Sequence, residues 1–576
     1  MAVSAVLLRQ KRIFEEKTMN KQAVYHAIKS NYSFPISDHE LEVRLRVAKG
    51  EAQSVELIHS MKYDWTIRRE SCAMHKAYSD DLFDYFIVRL RLQDTRFAYI
   101  FRIVSEGRSY YFSENGVTEE YDFSLGYFNF FQCPYINPAD VHREVSWVRE
   151  AIVYQIFVER FFVGETGKKK EYVNLRWGDI PNPKSFAGGD LEGIRLKLDY
   201  LQDLGVNTLY LTPIFESCSN HKYDIRNYFR VDGMFGGNEA FARLSEEARA
   251  RGMRIILDAV FNHCSAQNKI FADVEKKGRK SRYYDWFFID GDKPDQKAGN
   301  YEHFAGCKYM PKLNTNTPAV QDYLISVGKY WVEKYGIDGW RLDVADEVSD
   351  VFWRRFRREL KREHPDVLLI AENWHDAYPW LRGDEYDGVM NYSLTKACLD
   401  YLVYGVFDAQ AMSDRLSHIL MRNTDQVNNM MLDLLDSHDT ERFLTLAKKS
   451  GKDERSLLCA LAILFFSPGM PCIYYGTEIG MEGGYDPDCR RTFDWDRQNW
   501  NMQIYETVKK LIRLRKDIAG EVTYSAKDGV LLIGREGLLL AVNNGEETRT
   551  LNMAGRKYAI DPVGFKIIDI KEGGVL

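Results

Sequence analysis

The chain has little proline, 15 residues in 576, and no apolar run long enough to cross a membrane. Its most apolar stretch, residues 457–466, falls short of the ~20 residues a spanning helix needs. It lacks a dominant charge: Lys+Arg total 78 and Asp+Glu 84, a net charge of −6. That leaves no basic field for nucleic acid and no acidic tail. The nine cysteines, at 72, 133, 218, 264, 307, 398, 459, 472 and 489, contain no CxxC pair. An odd, scattered set argues against a disulfide framework or a zinc site and is read as reduced thiols. No GxxxxGK, GxSxG or HxxxH pattern occurs, which removes the P-loop, the serine elbow and the commonest zinc arrangement. Glycine is ordinary, and 45% hydrophobic with 28% charged residues is a globular composition. At ~150 residues per domain, two to four domains are expected.

The N-terminus, MAVSAVLLRQKRIFEEK, is a poor secretory signal, because its short apolar run precedes its charges. Met19 is a second candidate start, and residues 1–18 are read as a leader or an added segment. The expected location is the cytoplasm, with no membrane partner.

Residues 20–140 read as β. LEVRLRVAKG alternates with period 2, and VELIHSM, DYFIVRLRLQ, AYIFRIVSEG and RSYYFSENG follow between turn signals. Short strands so spaced predict a β-sandwich. From about 147 to 515 strands alternate with helices. The strand candidates are AIVYQIFVERF, VNTLYLTPI, RIILDAVF, DGWRLDVA, VLLIAENW, GVMNY, MMLDLLDSHD and PCIYYGTEIG. LEGIRLKLDYLQDLGV is predicted as one helix closed by Gly205, and a later helix is predicted to open at Ser349. Eight such units predict an α/β fold, a (β/α)8 TIM barrel. The longest insertion, about 263–317, follows the third strand and is expected to be functional. Residues 518–576 return to strand patterns and imply a small C-terminal β domain.

In such a barrel, function sits at the C-terminal strand ends. Those ends hold Asp258, Asn262 and His263 after strand three, Arg341 and Asp343 after strand four, Glu372 after strand five, and His438 and Asp439 after strand seven. With metal, phosphate and serine chemistry lacking their motifs, paired-carboxylate chemistry on a glycosidic bond remains.

These residues stand in blocks that resemble the α-amylase superfamily, glycoside hydrolase family thirteen: DAVFNH (258–263), GWRLDVADE (339–347), AENWHD (371–376) and LLDSHD (434–439). YQIFVERF (154–161), GGDLEGI (188–194), LYLTPIF (209–215), HKYD (221–224), MPKLN (310–314) and YYGTEIG (474–480) support it. MPKLN, WHDAYPWLRGD (374–384), DPDCRR (486–491) and the N-terminal β domain are similar to the cyclomaltodextrinase, neopullulanase and maltogenic amylase branch.

The resemblance implies roles by position. Asp343 matches the nucleophile that forms a covalent glycosyl-enzyme, and Arg341, two residues earlier on the same strand face, is expected to hold it ionised. Glu372 matches the general acid/base, which must hold its proton near neutral pH. Asp439 matches the third carboxylate, which clamps sugar hydroxyls. His263 and His438 match donors to the same sugar, and Tyr223 the aromatic platform beneath it. Trp374 is expected on the leaving-group side, and Asp486 and Arg490 as an outer-subsite ion pair. Asp258 and Asn262 are expected to be structural near the site.

Some positions depart from the branch. Val344-Ala345-Asp346-Glu347 stands where VANE is usual, which adds a charge near the leaving-group sites and leaves α-1,6 activity and transfer open. Lys168, Lys169 and Lys170 stand in the strand-one loop that usually carries anionic calcium ligands. Gly188 and Asp190 persist; a structural calcium stays open but is not expected, and no other cofactor is expected. Val158 replaces a family proline.

The implied activity is retaining hydrolysis of α-1,4-glucosidic bonds in cyclodextrins, maltodextrins or pullulan. An α-glucosidase or glucan transferase of the same family remains open, as does a catalytically inactive barrel used as a binding subunit. The implied assembly is a homodimer in which the N-terminal domain covers a partner's catalytic mouth. Tyr63, Trp65, Tyr78, Phe83 and Tyr85 are candidate interface aromatics.

Overall fold

The computed structural model describes residues 19–127, 129–164, 171–553 and 555–576. The expected leader, and Lys168, Lys169 and Lys170, lie outside the described residues. The chain divides into two compact units, the first ending at Val141 and the second beginning at His142.

In the first unit all strand pairs are antiparallel. Glu40–Ala48 pairs along its length with Phe83–Arg91, and Ser54–Met61 with Phe97–Ser105. Glu70–Ser79 joins the two pairs: residues 70–74 pair with Ser54–Met61, and residues 75–79 with Phe83–Arg91 across a register shift. One strand thus passes from sheet to sheet, and the sheets enclose Leu41, Val43, Leu45, Val55, Leu57, Phe101 and Ile103. The period-2 alternation of ELEVRLRVA places its leucines and valines in that core. Its other face is not solvated as the alternation predicts. Glu42 and Arg44 are buried there, and Glu42 is bonded by Arg44 and Arg89 at 2.6 Å each. The proposed interface aromatics need correction. Tyr63 is 70% exposed, but Trp65 and Tyr85 are core residues and Tyr78 and Phe83 are half-buried. Trp65 packs on Phe130, and the Tyr85 hydroxyl donates to Asp80.

The second unit is built on eight parallel strands: β1 (Val153–Ile156), β2 (Thr208–Leu211), β3 (Arg254–Ala259), β4 (Gly339–Leu342), β5 (Leu368–Ala371), β6 (Gly388–Val389), β7 (Leu432–Leu434) and β8 (Met470–Tyr474). They pair in chain order, β8 also pairs with β1, and a parallel bridge between Met390 and Leu432 closes the ring. At that seam a Cβ on Gly388 would stand 2.2 Å from the Met430 carbonyl, so only glycine allows the approach. Val153, Tyr210, Ile256, Leu368, Ile370, Leu432, Leu434 and Met470 fill the interior.

The helix predicted after β1 is broken. Leu191–Leu196 and Leu198–Leu204 meet at Lys197, which leaves the helical region, and Gly205 ends the second piece at φ +100°. Asp350–Lys361 does follow Ser349, though without a side-chain cap from that serine. Glu454–Phe466, which contains the most apolar stretch, is buried all round from Ser456 onward and packs against the C-terminal strands. No described helix is long and apolar enough to cross a membrane. The C-terminal strands Thr523–Lys527, Val530–Arg535, Leu538–Asn543 and Gly564–Asp569 form an antiparallel sheet within this same unit. The insertion after β3 carries the helix Lys269–Lys277 and is tied back by bridges from His263 to Lys312 and Phe287 to Leu313.

Candidate active site

The register of β3 and β4 sets Asp258 directly beside Arg341. Period-2 alternation then puts Arg341 and Asp343 on the inner face, while Trp340 points out against Phe215 and Phe261. The buried Arg341 guanidinium donates to both Asp258 oxygens at 3.2 Å and to Asp343 Oδ1 at 2.7 Å. Its other terminal nitrogen is ion-paired with Glu372 Oε2 at 2.9 Å. One guanidinium therefore ties carboxylates from three consecutive strand ends. Removing it would leave buried charges unpaired, a loss of about 3–5 kcal/mol.

Chain reversal after β4 is strained. Val344, β-branched, sits at φ +45° and ψ +46°, a backbone that costs ~1–3 kcal/mol. The strained peptide aims its N–H at Glu372 Oε2, 3.0 Å away. Glu372 Oε1 accepts from the Trp374 indole at 3.1 Å. Trp374 in turn stacks on Tyr392 with centroids 3.8 Å apart and planes within 5°.

Opposite lies Tyr223, whose hydroxyl donates to Asp258 Oδ2 at 3.1 Å and contacts His438 Nε2. His438 Nδ1 faces the Gln155 amide at 2.9 Å, and its Nε2 lies 3.0 Å from Asp439 Oδ2. With an amide N–H on Nδ1, the neutral ring carries its proton on Nε2. Arg490 braces this side: it donates to the His438 carbonyl at 2.7 Å and Asp439 Oδ1 at 3.1 Å, and pairs with Asp486 at 2.9 Å. The expected outer ion pair is therefore present, and its arginine is buried and joined to Asp439.

On the third side, His263 stacks on Phe304 with centroids 4.7 Å apart, and its buried Nε2 has no partner. Asn262 bonds Lys312, which pairs with Glu347 at 2.9 Å. Beyond, a cavity of about 390 Å³ is lined by Phe288, Lys312, Asp346, Glu347 and Asp350. Unpartnered buried atoms collect around the centre: Asp343 Oδ2, His263 Nε2 and the Tyr392 hydroxyl. Such atoms mark where a polar ligand would complete the bonding.

Burial is the largest influence on these groups. It raises Asp258 to about 6 and pushes Asp343 well above the usual carboxylate range, with Arg341 opposing in both cases and Glu372 adding repulsion. Arg341 opposes that rise as the expected partner of Asp343, and its single cation is shared among three carboxylates. Burial holds His263 down to about 3 and keeps His438 neutral, with Arg490 and Arg341 adding to the latter effect.

The expected site residues from Tyr223 to Arg490 meet in one constellation at one end of the barrel. Tyr392, Phe304 and Gln155 join it without having been singled out. Tyr392 follows the end of β6, a strand-end position that was a usable signal; Phe304 lies in the insertion, where periodicity says nothing. Two described acidic groups beside the strand-one loop are engaged within the protein. Asp190 Oδ1 accepts from Gly193 and Gly164 amides at 2.7 and 3.0 Å, as a helix cap, and Glu159 is paired with Arg160.

Residues 155–513 match the family model described as the alpha amylase catalytic domain, and residues 19–137 the alpha amylase N-terminal ig-like domain. The chain belongs to the α-amylase family. This α-amylase-family protein is a glycoside hydrolase. It is 41% identical to a cyclomaltodextrinase of Thermoanaerobacter pseudethanolicus, over 97% of this chain and 98% of that one. It is 43% identical to neopullulanase 2 of Thermoactinomyces vulgaris, over 86% and 85% of the two chains. A solved cyclomaltodextrinase structure superposes with a TM-score of 0.86 at 37% identity, covering 92% of each chain. The β-sandwich and barrel of this α-amylase-family enzyme are those its sequence implies.

Proposed function

We propose that this enzyme cleaves α-1,4-glucosidic bonds of cyclodextrins, short maltodextrins or pullulan, with retention of the α-configuration. Asp343 is the nucleophile. It attacks the anomeric carbon while Glu372 protonates the departing oxygen, and the glycosyl-enzyme is hydrolysed when Glu372, now the base, takes a proton from water. The observation that carries this reading is the shared Arg341 guanidinium, 2.7 Å from Asp343 and 2.9 Å from Glu372 on adjacent strand ends. It holds two carboxyls at one point while the rest of the site stays unsaturated.

Asp439 grips sugar hydroxyls and is fixed by Arg490, which Asp486 supports. Tyr223 is the platform, His263 and His438 are polar contacts, and Trp374 with Tyr392 walls the leaving-group side. Asp258 and Asn262 position Arg341 and Lys312. The active form is a homodimer, works without a metal, and is cytoplasmic, in keeping with nine free cysteines. The testing experiment is product analysis on β-cyclodextrin, pullulan and starch side by side. Preferential opening of the cyclodextrin supports the reading; turnover of starch as fast as cyclodextrin, or glucose released singly from chain ends, refutes it.

A further inference from the structure

Lys222 stands between His221 and Tyr223, yet it is buried. Its ammonium donates to Asp232 Oδ2 at 2.9 Å and lies 3.4 Å from Met234 Sδ and 5.1 Å from the Phe235 ring centre. Its backbone is left-handed, at φ +65°, a region that side-chain-bearing residues avoid. Asp232 is itself fixed, accepting backbone N–H groups from Ser217 at 2.9 Å and Met234 at 2.8 Å. Beyond Tyr223, Asp224 is held by the Ser217 hydroxyl at 2.5 Å.

We propose that Lys222 is a positioning residue for Tyr223: its buried ion pair with Asp232 locks a left-handed turn that presents the Tyr223 ring to the sugar and its hydroxyl to Asp258 and His438. The physical argument is one of direction. A left-handed residue turns the chain sharply, so the side chains flanking Lys222 project away from its own. Anchoring the ammonium on one side aims Tyr223 to the other. A buried lysine is costly to desolvate and needs a partner of opposite charge, so the pair specifies one conformation of the turn.

The inference rests on reading Tyr223 as a substrate contact, and a double-mutant cycle separates the two. Turnover of β-cyclodextrin is measured for wild type, Tyr223→Ala, Lys222→Met with Asp232→Asn, and the combination. Removing both charges together avoids leaving Asp232 ionised and alone. Should that pair fail to fold, Lys222→Gly with Asp232→Asn, in which the glycine adopts +65° freely, replaces it. The expected result is a fall of at least tenfold in kcat/KM for the Lys222 variant, with kcat falling more than KM rises. In the Tyr223→Ala background the same change is expected to have less than a twofold effect. Equal losses in both backgrounds, or unchanged kcat/KM in a folded Lys222 variant, overturn the inference. A fully active Tyr223→Ala enzyme overturns instead the reading of Tyr223.

Discussion

Val344 donates its backbone N–H to Glu372 Oε2 at 3.0 Å from a left-handed conformation that a β-branched side chain resists. The strain lies one residue past Asp343, so the proposed nucleophile and acid are linked through a peptide as well as through Arg341. A stiff link of this kind holds the two carboxyls at a fixed separation, which is what a double displacement requires.

The mechanism predicts the stereochemistry. NMR of the first product is expected to show the α-anomer, and a co-crystal is expected to show Asp343 and Glu372 carboxyls ~5–5.5 Å apart. Asp343→Asn should lower kcat by on the order of 10⁴ while the melting temperature stays near wild type. Formation of β-anomer first would refute retention.

Metal removal should be silent. Asp190 Oδ1 caps the helix Leu191–Leu196 and accepts the Gly164 amide, so that oxygen already serves the backbone. EDTA is expected to change neither turnover nor melting temperature measurably, and a loss restored by calcium would contradict this.

Acid should destabilise the enzyme through buried histidines. His26 bonds the Arg44 carbonyl at 2.8 Å and the Tyr99 hydroxyl at 2.9 Å, and burial lowers it from 6.5 to about 4. Between these values the unfolded chain binds more protons than the folded one. The contribution is therefore complete above about pH 6.5 and is lost as pH falls toward 4, by up to ~3 kcal/mol for this shift. His263, held down to about 3, works in the same direction. Urea unfolding at pH 7 and pH 5 should show the loss, and His26→Gln should flatten it; an unchanged slope in that variant excludes His26 as a source.

Asp346 adds a charge to the cavity beyond Glu372, and burial raises its pKa. Asp346→Asn replaces an exposed carboxyl with an amide able to donate to an acceptor sugar. We expect a two- to fivefold rise in the ratio of transfer to hydrolysis products from maltotriose. Chromatography of the products measures it, and an unchanged ratio removes Asp346 from acceptor selection.

Assembly is tested on the full chain and on a chain lacking residues 1–140. Tyr63, Ile67, Leu125 and Tyr127 are exposed at 70, 79, 43 and 67%. They lie on adjoining loops, since a Cβ on Gly126 would stand 3.3 Å from the Thr66 methyl. Exposed aromatic and aliphatic groups so clustered suit a subunit contact. Sedimentation is expected to give a dimer at micromolar concentration, weakened by Ile67→Asp, and deletion of residues 1–140 to lower the cyclodextrin-to-starch preference. A monomer, or an unchanged preference, refutes the assignment.

Period-2 and period-3.6 patterns by themselves determined the alternating strands and helices of the barrel, because a chain that must bury one face writes that face into its sequence. They also determined that Arg341 and Asp343 share a face, since two residues on a strand always do. Helix continuity was less legible: the apolar pattern runs through Lys197, and only packing against neighbouring elements breaks it there. Local patterns cannot assign burial to single aromatics, so Trp65 and Tyr85 read like Tyr63 until the sheets close over them. Only the tertiary structure decided that Arg341 is shared by three carboxylates, that Arg490 reaches Asp439, that Tyr392 meets Trp374, and that the charge of Lys222 is buried on Asp232. Most of those contacts join residues ten or more positions apart, up to 83 for Arg341 and Asp258, and their energies depend on desolvation, which a sequence does not state until the chain has folded around it.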